Sequence, residues 1–242
     1  MIRALVVTFS LICLGLFSAP ASAQVLWGSS SGEQNSTNDG SLFTINTSTG
    51  AATLIGPTGL LTPQGFSAVS AIAFDPITGV LYGILGGATN GAQLITINRT
   101  TGAGTVVGPL VGAGFNQAST NSGSDSLAFA PDGTLYAGGW GTGRLLRIDK
   151  ATGAVLANFA TPGGAHLAGL SFSPTGVLWA SRGGNAPGLV HTVNPATGAF
   201  LSTLPLSEPV RVNDLAFRPD GVLFASLGFE NQLATIKSVP RT

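Results

Sequence analysis

The stretch from Ser126 to Gly138, SLAFAPDGTLYAG, recurs in altered form as AIAFDPITGVLYGI from Ala71, GLSFSPTGVLWAS from Gly169 and DLAFRPDGVLFAS from Asp214. Phe74, Phe129, Phe172 and Phe217 mark one position of this repeat, at spacings of 55, 43 and 45 residues. Self-similarity at that period points to a propeller or a solenoid. Each copy holds two short apolar runs joined by a proline- and glycine-bearing turn, in which proline presets φ and glycine closes a hairpin.

Working outward, a third run follows a loop of variable length and reads SLFTIN, QLITIN, RLLRID, LVHTVN and QLATIK. A fourth follows a second fixed turn: NTSTGAATLIG, NRTTGAGTVVG, DKATGAVLANF and NPATGAFLSTL each begin with Asn or Asp and carry Thr-Gly before the next run. An Asx side chain closes such a turn by accepting from backbone two residues on, and glycine takes the left-handed exit. The runs are short, alternating and rich in β-branched and aromatic residues, so they read as strands.

Four antiparallel strands in a unit of about 45 residues make a propeller blade. The predicted fold is therefore all-β, a propeller of about five four-stranded blades. The units lie near residues 25–59, 71–110, 126–160, 169–206 and 214–239. Leu127 and Phe129 face one side of their strand and Ser126 and Ala128 the other. Large residues of one blade can then pack on the small face of its neighbour, since no blade buries both faces alone. The strands number eighteen, because the first unit starts at its second strand and the last ends at its third. Imperfect closure, a fragment, or a second chain in the gap would each account for this.

The first 23 residues have another character: Arg3, an apolar run to Phe17, and a small-residue ending at Ala21-Ser22-Ala23. This is the layout of a secretory signal peptide cleaved before Gln24, and the apolar core is shorter than the ~20 residues that span a bilayer. The expectation is a secreted or periplasmic domain at residues 24–242, with no membrane span after leader removal. Cys13 is the only cysteine, so a chain cut there has no disulfide, thiolate nucleophile or cysteine metal site. Ten basic and ten acidic side chains balance, which leaves no basic field for nucleic acid. Only 8% of residues are charged, against 35 glycines. Uncharged polar loops must carry solubility.

In up-and-down blades the fixed turns share one face and the variable loops the other. Binding residues ride on variable loops held by a rigid scaffold, so a site is expected on the second face, near the channel. Asp125, Asn213 and Asp214 stand at the start of inner strands there, with His166 and Arg211 nearby. Oxygen ligands of this kind suit calcium or another divalent ion; capping of strand ends and channel water is the structural alternative. Trp140, Arg182 and Phe229 lie on the same loops and could form a rim. His191, in LVHTVN, reads as a packed or surface strand residue. Asn35, Asn46 and Asn98 begin N-x-S/T sequons. No H-E-x-x-H or phosphate loop occurs, and no catalytic residue is assigned.

SLAFAPDGTLYAG with GRLLRIDKATGAVL resembles the secreted bacterial propellers with NHL- and YncE-like repeats, over essentially the whole chain after the leader. VNDLAFRPDG is similar to a motif of the gluconolactonase and senescence-marker propellers, lactone hydrolases with a divalent metal in the channel. That likeness would make Asn213 a metal ligand, although the motif lies here in the last unit and no early inner-strand glutamate accompanies it. Virginiamycin-lyase-like propellers are similar in repeat, without a matching histidine and glutamate pair. The expected function is an exported, non-catalytic propeller whose loops bind a protein, glycan or cell-surface component. The alternative is a metal-dependent lactonase.

Overall fold

The computed structural model describes residues 9–11, 25–30, 38–61, 65, 67–86, 92–111, 124–139, 143–182, 188–206, 210–228 and 232–236, with only the backbone for 9–11, 124 and 125. Nineteen strands in five antiparallel sheets are seen among them. Blade one is β1 (Phe9–Leu11), β2 (Leu26–Ser30), β3 (Ser41–Ile45) and β4 (Ala52–Pro57). Blade two is β5 (Val69–Phe74), β6 (Leu81–Leu85), β7 (Gln93–Ile97) and β8 (Gly104–Pro109). Blade three is β9 (Ser124–Phe129), β10 (Leu135–Gly139), β11 (Arg144–Ile148) and β12 (Val155–Ala160). Blade four is β13 (Leu167–Phe172), β14 (Leu178–Arg182), β15 (Leu189–Val193) and β16 (Phe200–Pro205). Blade five has three strands: β17 (Val212–Phe217), β18 (Leu223–Leu227) and β19 (Gln232–Ile236).

The five-bladed propeller expected from the repeat is thus observed, with one addition. Blade one gains an inner strand from within the segment read as a leader, pairing Phe9 with Ser30, Ser10 with Ser29 and Leu11 with Gly28. No helix among the described residues is long and apolar enough to cross a membrane.

Blades pack large face on small face. Leu127 and Phe129 of blade three sit against Ala71 and Ala73 of blade two, and Leu170 and Phe172 of blade four sit against Ala128 and Ala130 of blade three. Ring pairs reinforce the four seams from blade one through blade five. The aromatic on the second strand meets the phenylalanine of the next inner strand at Trp27–Phe74 (5.9 Å), Tyr82–Phe129 (5.3 Å), Tyr136–Phe172 (5.6 Å) and Trp179–Phe217 (5.9 Å). Tilted and edge-on aromatic pairs of this kind add about 0.5–1.5 kcal/mol each beyond the buried area. The ring closes where Ala216 and Phe224 of blade five pack on Leu26 and Ile45 of blade one.

The fixed turns take the conformations their residues demand. Asn46, Asn98, Asp149 and Asn194 each accept a hydrogen bond at Oδ1 from the backbone N–H two residues on. The Asn46 and Asn98 side chains, both in sequons, are therefore turn-closing acceptors. Asp132 accepts likewise from the Thr134 N–H at 2.9 Å, which makes it the turn residue its PDG context implies.

Gly102 is left-handed (φ 81°) and also lies against the outer strand of blade one, where an added Cβ would meet the Gly56 carbonyl oxygen at 2.2 Å. Gly50 occupies the same turn position in blade one with φ 72° and nothing within 4 Å. Among the described residues, blade five has no fourth strand to lie beside Gly50.

One ion pair ties neighbouring blades across the turn face. Lys150 Nζ of blade three reaches Asp75 Oδ2 of blade two at 2.7 Å and passes over the Phe129 ring. The Asp75 carboxylate is fully buried and also accepts from the Ile77 N–H and the Thr78 hydroxyl. Burial pushes its pKa up, but the hydrogen bonds from Lys150, Ile77 and Thr78 outweigh that and leave it lowered. A lowered carboxylate stabilises the fold above its unfolded pKa, and the contribution is lost as pH falls through the folded value.

Two outcomes follow. In urea titrations Gly50→Ala costs about 1–2 kcal/mol from left-handed strain alone, and Gly102→Ala costs clearly more because backbone must also move. Lys150→Met costs about 1–2 kcal/mol at neutral pH, the half-exposed cation being partly screened. Its deficit against the parent shrinks in melts taken below the ordinary aspartate pKa.

Candidate functional site at the channel mouth

Each complete inner strand of blades two to five carries a bulge at the same place. Val69 pairs with Leu85 and Ala71 with Ile84, so Ser70 has no cross-strand partner. The same skip leaves Asp125 between Ser124 and Ser126, Ala168 between Leu167 and Gly169, and Asn213 between Val212 and Asp214. A bulge bends the strand and re-aims the extra side chain. Two of the predicted site residues, Asp125 and Asn213, thus hold equivalent positions, which Ser70 and Ala168 fill in the other blades.

The bulged side chain lies over the start of the variable loop. A Cβ on Gly228 would fall 2.7 Å from both Asn213 Oδ1 and Nδ2, and one on Gly86 would fall 3.3 Å from Ser70 Oγ. The glycine after the second strand is therefore a platform for the bulged residue. His166 and Arg211 each stand two residues before the bulge. The Arg211 carbonyl accepts from Gly228 N–H at 2.9 Å, as the Ala68 carbonyl does from Gly86 at 2.8 Å. Asn213, Arg211 and Gly228 form one cluster on blade five.

Asp214, expected beside Asn213 at the channel mouth, is a buried residue of β17. Pleat alternation turns it to the small face of blade five, at the position held by Ala71, Ser126 and Gly169 in other blades. It is 3% exposed, and its Oδ1 accepts from the Leu215 N–H at 2.9 Å. The side chain of Asp125, and Trp140 and Phe229 entirely, lie outside the described residues. Among the described residues no group of three His, Cys, Asp or Glu side chains could hold a metal ion. How Asp125 stands towards Asn213 and Asp214 thus lies outside the described residues.

Ser70, Gly86 and Gly228 were not singled out by their sequence context. Their signal was the Leu-Gly pair that ends the second strand at residues 85–86 and 227–228. The hydrogen bond from Ser126 Oγ to the Leu167 carbonyl (2.9 Å) likewise joins neighbouring inner strands near the axis.

His191 belongs to a blade interior. It is 4% exposed, stacks on Phe200 at 3.9 Å, and its Nδ1 lies 2.9 Å from Thr203 Oγ1, while the buried Nε2 has no hydrogen-bond partner among the described residues. Burial and then the nearby Arg182 charge lower its pKa from 6.5. A buried neutral histidine gains its proton more readily when unfolded, so stability holds above about pH 6.5 and falls as pH drops towards the lowered folded value. Thermal melts from pH 7.5 to 5 should show His191→Gln losing part of this acid sensitivity while retaining a cooperative transition.

Residues 61–200 match the model of a repeat of unknown function (DUF6923). No curated protein matches the chain. Among solved structures, the chain is similar to the PQQ-bound aldose sugar dehydrogenase of Streptomyces coelicolor, with 17% identity, TM-score 0.58, and 98% of this chain and 79% of that one covered. It is similar to a putative gluconolactonase, with 16% identity, TM-score 0.56, and 88% and 73% covered. It is also similar to virginiamycin B lyase of Staphylococcus aureus, with 12% identity, TM-score 0.52, and 98% and 71% covered. At these identities the likeness is one of fold. The chain belongs to the DUF6923 repeat family, built as a five-bladed β-propeller.

Proposed function

We propose that the chain is an exported, non-catalytic propeller whose variable loops bind a protein, glycan or cell-surface component. One observation carries this reading: the recurring residues described above are occupied in packing or turns, while variation gathers at one face. The inner-strand phenylalanines pair across blade seams, and the recurring Asx residues close turns. On the opposite face, the equivalent bulge positions hold serine, aspartate, alanine and asparagine. A scaffold with a varied rim is the usual arrangement for recognition. Export follows from the N-terminal leader layout.

The second reading is a metal-dependent lactonase, favoured by the seat of Asn213 on the bulge that opens beside the channel. In it Asn213 and Asp125 would supply oxygen ligands to calcium or a similar ion. The known lactonase likeness is a likeness of fold, and the chemistry is argued only from these residues.

A single set of measurements separates the two. The binding reading expects retention on an isolated cell-envelope fraction or a glycan array, weakened at least about tenfold by Arg182→Ala or Arg211→Ala. It also expects no turnover of a lactone panel with calcium, magnesium or zinc added. Turnover that needs metal and disappears in Asn213→Ala would overturn it in favour of the hydrolase.

A further inference from the structure

The third strand of blade five is uncovered where the other third strands are covered. Through its pairing with β18, Leu233 takes the place of Leu42, Leu94, Leu145 and Val190, all 0% exposed. Ala234 takes the place of Phe43, Ile95, Leu146 and His191, none above 5% exposed. Both are only half-buried in β19, as is Ile236, while Gln232 and Thr235 are exposed. In blades one to four a fourth strand lies along this edge and adds apolar side chains such as Ile55, Val107 and Phe159 to a core cluster. Among the described residues, no fourth-strand side chain joins the cluster that holds Leu233.

The first blade marks the same gap from its other side. A Cβ on the turn glycine of a blade meets the fourth strand of the blade before it. The distances are 2.2 Å from Gly102 to the Gly56 carbonyl oxygen, 2.7 Å from Gly153 to that of Pro109, and 2.9 Å from Gly198 to that of Ala160. Gly50, at this place in blade one, meets nothing within 4 Å among the described residues. The exit of a fourth strand also bonds to the start of the next: the Thr58 carbonyl accepts from Gly104 N–H at 2.8 Å, and the Val111 carbonyl from Val155 N–H at 3.0 Å. Ala52 holds that position in blade one, opposite Ile45 as Gly104 is opposite Ile97 and Val155 opposite Ile148. The outer edge of β19, Gly50 and Ala52 therefore bound one strand-wide seat, which continues the interface between successive blades.

We infer that this seat docks an extended, uncharged segment of a partner polypeptide, added antiparallel to β19 as the fourth strand of blade five. The chemistry of the segment is read from the strands in the equivalent seats. ATLIGP, GTVVGP, VLANFA and FLSTLP carry no charged residue, and neither does β19, QLATI. A neutral strand suits this neutral edge, since a charge covered there would lose water and gain no partner. Backbone pairing supplies affinity, and an apolar residue near the middle of the segment covers Leu233 and Ala234. Edges that stay bare are guarded by charge or proline. The outermost strands β4, β8 and β16 end in Pro57, Pro109 and Pro205, whereas β19 has neither guard. The seat is apart from the loop face and does not rest on the reading of that face.

The test uses the full chain and a fluorescein-labelled peptide TGAGTVVGPL, the sequence of residues 101–110, which includes the fourth strand of blade two. A control peptide carries both Thr105→Pro and Val106→Pro. Successive residues alternate between bonded and non-bonded pairs, so one of the two prolines removes a ladder donor in either register. Anisotropy is expected to show the first peptide binding at least about tenfold more tightly than the control. Hydrogen exchange read by mass spectrometry is expected to slow at residues 232–236 and 49–52 when that peptide is added. Equal affinity for the two peptides, no binding, or slowing confined to other residues overturns the site. Exchange at 232–236 that is already as slow as at 93–97 before any peptide is added overturns the partner. A size measurement then assigns the edge to a second copy if the chain is a dimer, and to the chain's own residues if it is a monomer.

Discussion

The structure depends on a blade-to-blade contact in which the large face of one inner strand fills the small face of the strand before it. Phe129 against Ala73 and Phe172 against Ala128 are two instances of it. Each sheet has two faces to bury and only its neighbours to bury them on. The alternation of a β-strand makes this possible, because residues two apart share a face and can all be large while those between are all small. The aromatic on the second strand extends the contact outward at the four seams from blade one through blade five.

This packing leaves the turns and loops with unequal duties. Turns on one face are pinned: Asx side chains close them, the Lys150 to Asp75 pair joins two of them, and Gly102 has no room for a side chain beside Gly56. Loops on the other face begin on the glycines that support the bulged residues, Gly86 under Ser70 and Gly228 under Asn213. The same framework can then present a different residue at the bulge of each of blades two to five without disturbing a seam. That separation of duties is the basis on which recognition at the loop face is proposed.

Much of the fold was legible because the repeat is written in residues with direct physical meanings. Phenylalanine at one period, Thr-Gly after Asx, and proline before glycine each state a local structure, and all appear where expected. The candidate site was only partly legible. Asp125 and Asn213 were found as the points where the repeat stops agreeing with itself, and the structure gives them equivalent bulges. Asp214 was read with them because it is adjacent in sequence, yet a strand turns adjacent side chains to opposite faces. The platform glycines carry only a Leu-Gly pair as their mark, a weak one in a chain with 35 glycines.

By itself, the sequence determined the blade: its strand count, its turns, its large and small faces and its all-β class, since these depend on contacts between residues a few positions apart or on simple alternation. Only the tertiary structure decided the register of the bulges, the inward burial of Asp214, the room around Gly50 compared with Gly102, and the use of Phe9–Leu11 as the first inner strand. Each of these depends on which blade lies next to which. Ring closure brings residues from opposite ends of the chain together, and no local pattern records that meeting.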